Sequence, residues 1–165
     1  MSGSDFEHIV LPEIALVLDV QHFPVLIVTW FGVPVPALVP RYTDWLMRIV
    51  ARAETESTRL VLIDDVVGLT ERPDPEARRT MAQALKSVSD EHAERLLGAS
   101  VVVSNPFVRA AITVVMSLTR RPFDIKPARD MEQALAHARR MLEQAGLTWP
   151  EGLDAKSYRR PDRPA

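Results

Sequence analysis

The sequence predicts an α/β domain built on a mixed sheet of about five strands, in the order β-β-α-β-α-β-α-β-α. Three observations predict it. Short aliphatic runs bounded by turn residues alternate with segments whose apolar residues recur every three or four positions. Two of those segments open on a cap residue followed by proline, Asp74-Pro75 and Asn105-Pro106, a start signal for helices. The first two aliphatic runs are separated by only three residues, so the sheet begins as an antiparallel hairpin.

Taken in order, Ile14 to Val20 and Pro24 to Phe31 are β-branched and aromatic runs joined by Gln21-His22-Phe23. Gly32 and the prolines at 34, 36 and 40 end the second strand. Proline lacks an N–H and fits a helix only in its first turn, so Pro40 marks a helix start. That helix is expected to reach about Ala53, with Leu38, Tyr42, Trp45, Leu46 and Ile49 as its buried stripe. Arg59 to Ile63, ending in Asp64-Asp65, is continuously aliphatic and reads as a central strand covered on both faces. The helix opened by Asp74 gathers Ala77, Met81, Ala84, Leu85, Val88 and His92 on one side, with Arg78, Arg79, Lys86 and Glu91 mostly opposite.

Ala99 to Val103 is a further buried strand, followed by a helix to about Leu118 that is apolar almost all round. A helix of that kind is sandwiched within a fold or pressed against another molecule. Phe123-Asp124-Ile125 reads as a short edge strand. Asp130 and Gln133 form a capping box for the last helix, whose stripe is Met131, Ala134, Leu135, Ala138, Met141 and Leu142. Gly146 is placed to stop it. The predicted organisation is an N-terminal extension over 1–13, one domain over 14–146, and a flexible tail over 147–165 rich in proline and charge, in which Trp149 and Leu153 could dock back.

A chain of 165 residues with 47% apolar and 25% charged residues suits one globular domain. With no cysteine there is neither a disulfide nor a thiolate ligand, which fits a cytoplasmic location. A net charge of −2 supplies no general attraction to nucleic acid or anionic membrane. No apolar run approaches the roughly 20 residues of a spanning helix, so no membrane insertion is expected.

Chemistry-bearing patterns are sparse. The six glycines are scattered and assemble no phosphate-cradling loop, and no serine sits in a Gly-x-Ser-x-Gly elbow. The four histidines are isolated, without a partner at metal-ligand spacing. No catalytic residue, metal ligand or cofactor is therefore expected, and the chain reads as a non-enzyme. Asp64 and Asp65 are the main polar candidates for a ligand or ion, because open α/β sheets place their crevices at the carboxyl ends of central strands. The plainer role is ending the strand and capping a turn, and adjacent strand residues point to opposite faces. Ser104 and Asn105, beside a helix start, could receive an anion, although Asn105 is more simply a cap. Thr70 is a candidate phosphorylation site in the loop before the second helix, near Arg72.

With the elements placed, residues 14 to 145 resemble the STAS-like fold of sulfate transporters and anti-sigma-factor antagonists, in its SpoIIAA-like bacterial branch. The matching features are the hairpin ending in Phe31-Gly32, the strand LVLIDDVVGL with the amphipathic helix after it, the strand-helix pair VVVSNPFVRAAITVVMSL, and the close FDIKPARDMEQALAHARRML. The resemblance implies a non-enzymatic module that binds regulators, dimerises or sits in signalling complexes. Antagonist members carry a phosphorylatable residue in an acidic-Ser-Ser-Gly motif after the third strand. This chain reads Thr70-Glu71-Arg72-Pro73-Asp74 there, which leaves Thr70 as the nearest equivalent.

The expected function is a protein-interaction or regulatory module with an unidentified protein partner, forming a homodimer through Phe107, Val108, Ala111, Val115 and Met116 on the apolar helix. The alternative is a sensor or carrier of a small lipid-like ligand, with Trp30, Phe31, Trp45 and Met116 lining an apolar space.

Overall fold

The computed structural model describes residues 6–71, 74–106 and 124–165. A six-stranded sheet runs in sequential order through β1 (Phe6–Val10), β2 (Ile14–Asp19), β3 (Val25–Gly32), β4 (Leu60–Leu69), β5 (Leu96–Val102) and β6 (Asp124–Ala128). β1, β2 and β3 pair antiparallel, and β3 to β6 are parallel to one another. The mixed sheet and the opening hairpin are as the sequence predicts, with one strand more.

That extra strand is β1, inside the stretch expected to be an extension. Its signal is a bare alternation in FEHIV, diluted by Glu7 and His8. Ile9 enters the core, and Glu7 on the same face receives both guanidinium arms of Arg48 at 2.8 and 3.2 Å. Pairing with β1 covers the outer edge of β2, whose N–H and C=O groups would otherwise stay open.

Helices α1 (Leu38–Thr55) and α2 (Pro75–His92) share one face of the sheet. α1 buries the whole expected stripe, including Tyr42 and Trp45, against Leu16, Leu18, Val28 and Leu60. α2 starts as the sequence requires, with Asp74 Oδ1 accepting from the Ala77 N–H at 2.7 Å and Pro75 at the first helical position. Asp74→Ala is expected to lower stability by about 1 kcal/mol, the usual value of such a cap, read as a shift in denaturant midpoint at unchanged slope.

Helix α3 (Met131–Gln144) covers the opposite face, packing Ala134, Leu135, Ala138, Met141 and Leu142 on Val25, Ile27, Val61, Ile63 and Val102. Its cap forms with the expected pair, the return bond displaced by one residue: the Gln133 N–H donates to Asp130 Oδ1 at 2.9 Å, and Gln133 Oε1 accepts from the N–H of Arg129, the residue before the cap, at 2.8 Å. Gly146 takes the left-handed conformation that closes the helix (φ 72°).

Two expected boundaries move. β4 does not end at Asp64-Asp65 but continues to Leu69, because β3 also extends through Phe31-Gly32 and offers a pairing edge beyond a bulge at Thr29/Phe31. Gly32 permits this: its φ is 97°, and a Cβ there would lie 2.1 Å from the Glu13 carbonyl oxygen. Residues 147–165 pack back on the α3 face, with Leu153 buried beside the Val25 and Ile27 cluster. The apolar helix expected over residues 107–118, and with it Phe107, Val108, Ala111, Val115 and Met116, lies outside the described residues.

Candidate functional site

β4 carries its two acidic residues at the middle of the sheet, where Asp64 is level with Val28 and Val101, and Asp65 with Thr29 and Val102. Neither lies at the strand end where the sequence placed them; four residues of β4 follow Asp65. The alternation of a strand sends the two side chains to opposite faces. They do not converge on one ion, and the described residues hold no group of three potential metal ligands.

Asp64 faces the α1 side. Trp30 Nε1 donates to its Oδ1 at 2.9 Å, Trp30 packs on Tyr42 with ring centroids 5.4 Å apart, and Tyr42 stacks on Trp45 at 5.9 Å. Burial among these groups pushes the Asp64 carboxyl up to about 6, against the pull of the Trp30 hydrogen bond. The residue keeps some exposed surface, but its carboxylate is enclosed. Burial, followed by the Asp64 charge, drives the Tyr42 phenol well above its ordinary value.

Asp65 faces the α3 side and is buried. Its Oδ2 pairs with Arg160 Nε at 2.9 Å, and its Oδ1 accepts from the Val67 N–H at 3.1 Å. Burial raises its carboxyl, and the Val67 N–H and the Arg160 guanidinium pull it back part of the way. The Arg160 guanidinium also lies 5.3 Å from the centre of the Phe31 ring. Tyr158, two residues earlier, is pushed up to about 12 by burial and then by the charges of Asp65 and Asp19, with Thr29 beside its hydroxyl.

The remaining candidates stay apart from this centre. Thr70 is exposed just after β4, its N–H donating to the Gly32 carbonyl at 3.0 Å, while Arg72 lies outside the described residues. Ser104 and Asn105 are exposed after β5. Of the residues expected to line an apolar space, Trp30 and Trp45 are core residues on the α1 side, Phe31 lies near Arg160, and Met116 is outside the described residues.

Sequence reasoning missed Tyr158 and Arg160. The available signal was the spacing of Leu147, Trp149, Leu153 and Tyr158 through an otherwise polar tail, which offers apolar anchors at intervals too irregular for a helix or a strand. Nothing local indicates that Arg160 meets a carboxylate 95 positions earlier (160 − 65).

No protein-family model and no curated protein matches the sequence. Among solved structures, a protein of the DUF3478 family with a SpoIIAA-like fold from Shewanella loihica superposes with a TM-score of 0.56 at 17% identity, over 84% of this chain and 98% of that one. An anti-sigma factor antagonist from Mycobacterium paratuberculosis superposes with a TM-score of 0.47 at 15% identity, over 79% and 99% respectively. The chain has the SpoIIAA-like fold that its sequence pattern resembles. No helix among the described residues is long and apolar enough to cross a membrane.

Proposed function

We propose that this chain is a non-enzymatic regulatory module of the cytoplasm that acts by binding a protein partner and by associating with itself. The observation that carries the reading is the fate of the two aspartates: they diverge to opposite faces and are each engaged by the chain's own side chains, Trp30 and Arg160. A site for chemistry needs polar groups converging on one reacting position. Here the two carboxylates serve the packing instead, which favours surfaces as the means of action.

For self-association the support is the sequence of residues 107–118, apolar almost all round, with Arg109, Thr113 and Ser117 as its polar members at four-residue steps. Phe107, Val108, Ala111, Val115 and Met116 are the proposed contact residues. Thr70, exposed between β4 and α2, is the proposed position for a regulatory phosphate.

Sedimentation equilibrium tests the first claim. The wild-type chain is expected to be dimeric at high micromolar concentration, and Val115→Asp to be monomeric, because a charge in an apolar interface must be desolvated without a partner. A monomeric wild type, or a Val115→Asp dimer of unchanged affinity, overturns self-association through this helix. Affinity capture from the native cell followed by mass spectrometry tests the partner class.

A further inference from the structure

The C-terminal segment is held to the body in an unusual way. Among the described residues, no backbone hydrogen bond joins residues 148–165 to a strand or helix; the Tyr158 N–H donates to the Asp154 carbonyl at 2.9 Å, and the Trp149 side-chain Nε1 to the Leu153 carbonyl at 2.8 Å, both within the segment. Four side chains do the holding. Leu153 is buried in the α3-side core, Trp149 and Tyr158 pack against it, Tyr158 beside Thr29, and Arg160 reaches Asp65. The segment thus follows β3 towards its carboxyl end as a strap.

The arginine end of this strap is a formed recognition site. Asp65 is 5% exposed at its side chain and fixed by the Val67 N–H, so it presents one carboxylate oxygen in a set direction. Phe31 supplies a ring face for the guanidinium, and Gly68 lies close beside both: a Cβ there would come within 2.4 Å of the Trp30 carbonyl oxygen, 2.9 Å of an Arg160 Nη and 3.0 Å of the Phe31 ring. Pro161 biases Arg160 towards extended backbone, the conformation that presents its side chain sideways. A compact ammonium could not use the planar ring and the carboxylate together as a guanidinium does.

We propose that the Asp65–Phe31–Gly68 corner is a binding site for an arginine on a non-helical segment of a partner protein, with an aromatic residue two positions before it, and that Arg160 fills this site in cis as a displaceable strap. A strap fixed by side chains alone opens without disturbing the sheet, whose hydrogen bonds are made elsewhere. A partner offering the same chemistry takes over the buried carboxylate with no new charge left unpaired. This inference rests on reading the chain as a protein-interaction module, but not on self-association.

The probe is the dodecapeptide of residues 154–165, DAKSYRRPDRPA, added in trans to the isotopically labelled full chain carrying Arg160→Ala. Saturable shifts of the Val67, Gly68 and Thr29 amides are expected, and a peptide with alanine in place of Arg160 is expected to bind at least roughly tenfold more weakly, the loss of a charge-assisted contact. The Asp65→Asn protein is expected to lose the response. If Arg160→Ala does not fold, the wild-type chain is used, and excess peptide is expected to speed hydrogen exchange at Lys156, Ser157 and Tyr158, the strap amides that donate hydrogen bonds. Absence of any saturable response up to about 1 mM peptide, the limit of a specific weak contact, overturns the proposal. A wild-type dimer lost in Arg160→Ala, with no peptide bound by the monomer, assigns the occupant to a second copy and overturns the foreign segment. A monomeric wild type that binds the peptide leaves this site standing and removes only the self-association claim.

Discussion

Asp64→Asn is expected to stabilise the protein at pH 7 by about 2–3 kcal/mol and to remove a fall in stability between about pH 4 and pH 6. The carboxyl of Asp64 titrates near 3.8 when unfolded and at about 6 when folded, because burial disfavours its charge. Between those values the folded state holds a proton that the unfolded state has released. Raising the pH through that window therefore draws the equilibrium towards unfolding. Below the window both states are protonated and Asp64 contributes nothing; above it the full penalty is present. Asparagine retains an oxygen to accept from Trp30 Nε1 and carries no charge to desolvate. The difference between variant and wild type is thus expected to grow from near zero at pH 4 to its full value above pH 6, measured by urea unfolding at each pH. Asp65 is unchanged in both proteins and cancels from the comparison. Equal stabilities across the range would show that the Asp64 carboxylate is well solvated.

Leu153→Ala is expected to cost about 2–3 kcal/mol, at the low end for a buried leucine. Leu153 is 4% exposed and joins the cluster of Val25, Ile27, Leu135 and Leu142. The low end applies because the strap has an alternative to enduring the cavity. When its docking falls below the entropy of ordering it, the segment detaches, and the loss of stability cannot exceed what its docking contributes. Hydrogen exchange separates the two cases: in the variant, the Lys156, Ser157 and Tyr158 amides, which donate hydrogen bonds within the strap, are expected to exchange faster while β3 and β4 stay protected. No change in stability or exchange would mean that Leu153 contributes nothing to holding the strap.

The fold was legible wherever its cause was local. Asp74-Pro75 and the Asp130–Gln133 pair are capping chemistry contained within four residues, and both helices start where that chemistry places them. The stripe Leu38, Tyr42, Trp45, Leu46 and Ile49 follows from the helical period alone, and all five are buried. The opposed orientation of Asp64 and Asp65 was equally legible, since it needs only the two-residue repeat of a strand.

Boundaries fixed by a neighbour were not legible. β4 continues past its aspartates because β3 is long enough to pair with it, and no feature of DDVVGL alone reports the length of β3. β1 forms because β2 presents an edge and Arg48 a partner for Glu7, so five residues without strong strand character become a strand. The surroundings that make Asp64 costly, with Trp30 from β3 and Tyr42 from α1, also come together only in the folded sheet.

What the sequence determined by itself is the class of the domain, the order of the described elements after β1 and the faces they bury, because periodicity and capping act over one or two turns of chain. Tertiary structure alone decided the fate of the C-terminal segment and the pairing of Arg160 with Asp65. The physical reason is distance along the chain: a composition of proline and charge promises little local structure, and only contact with a preformed, buried carboxylate gives Arg160 a fixed place.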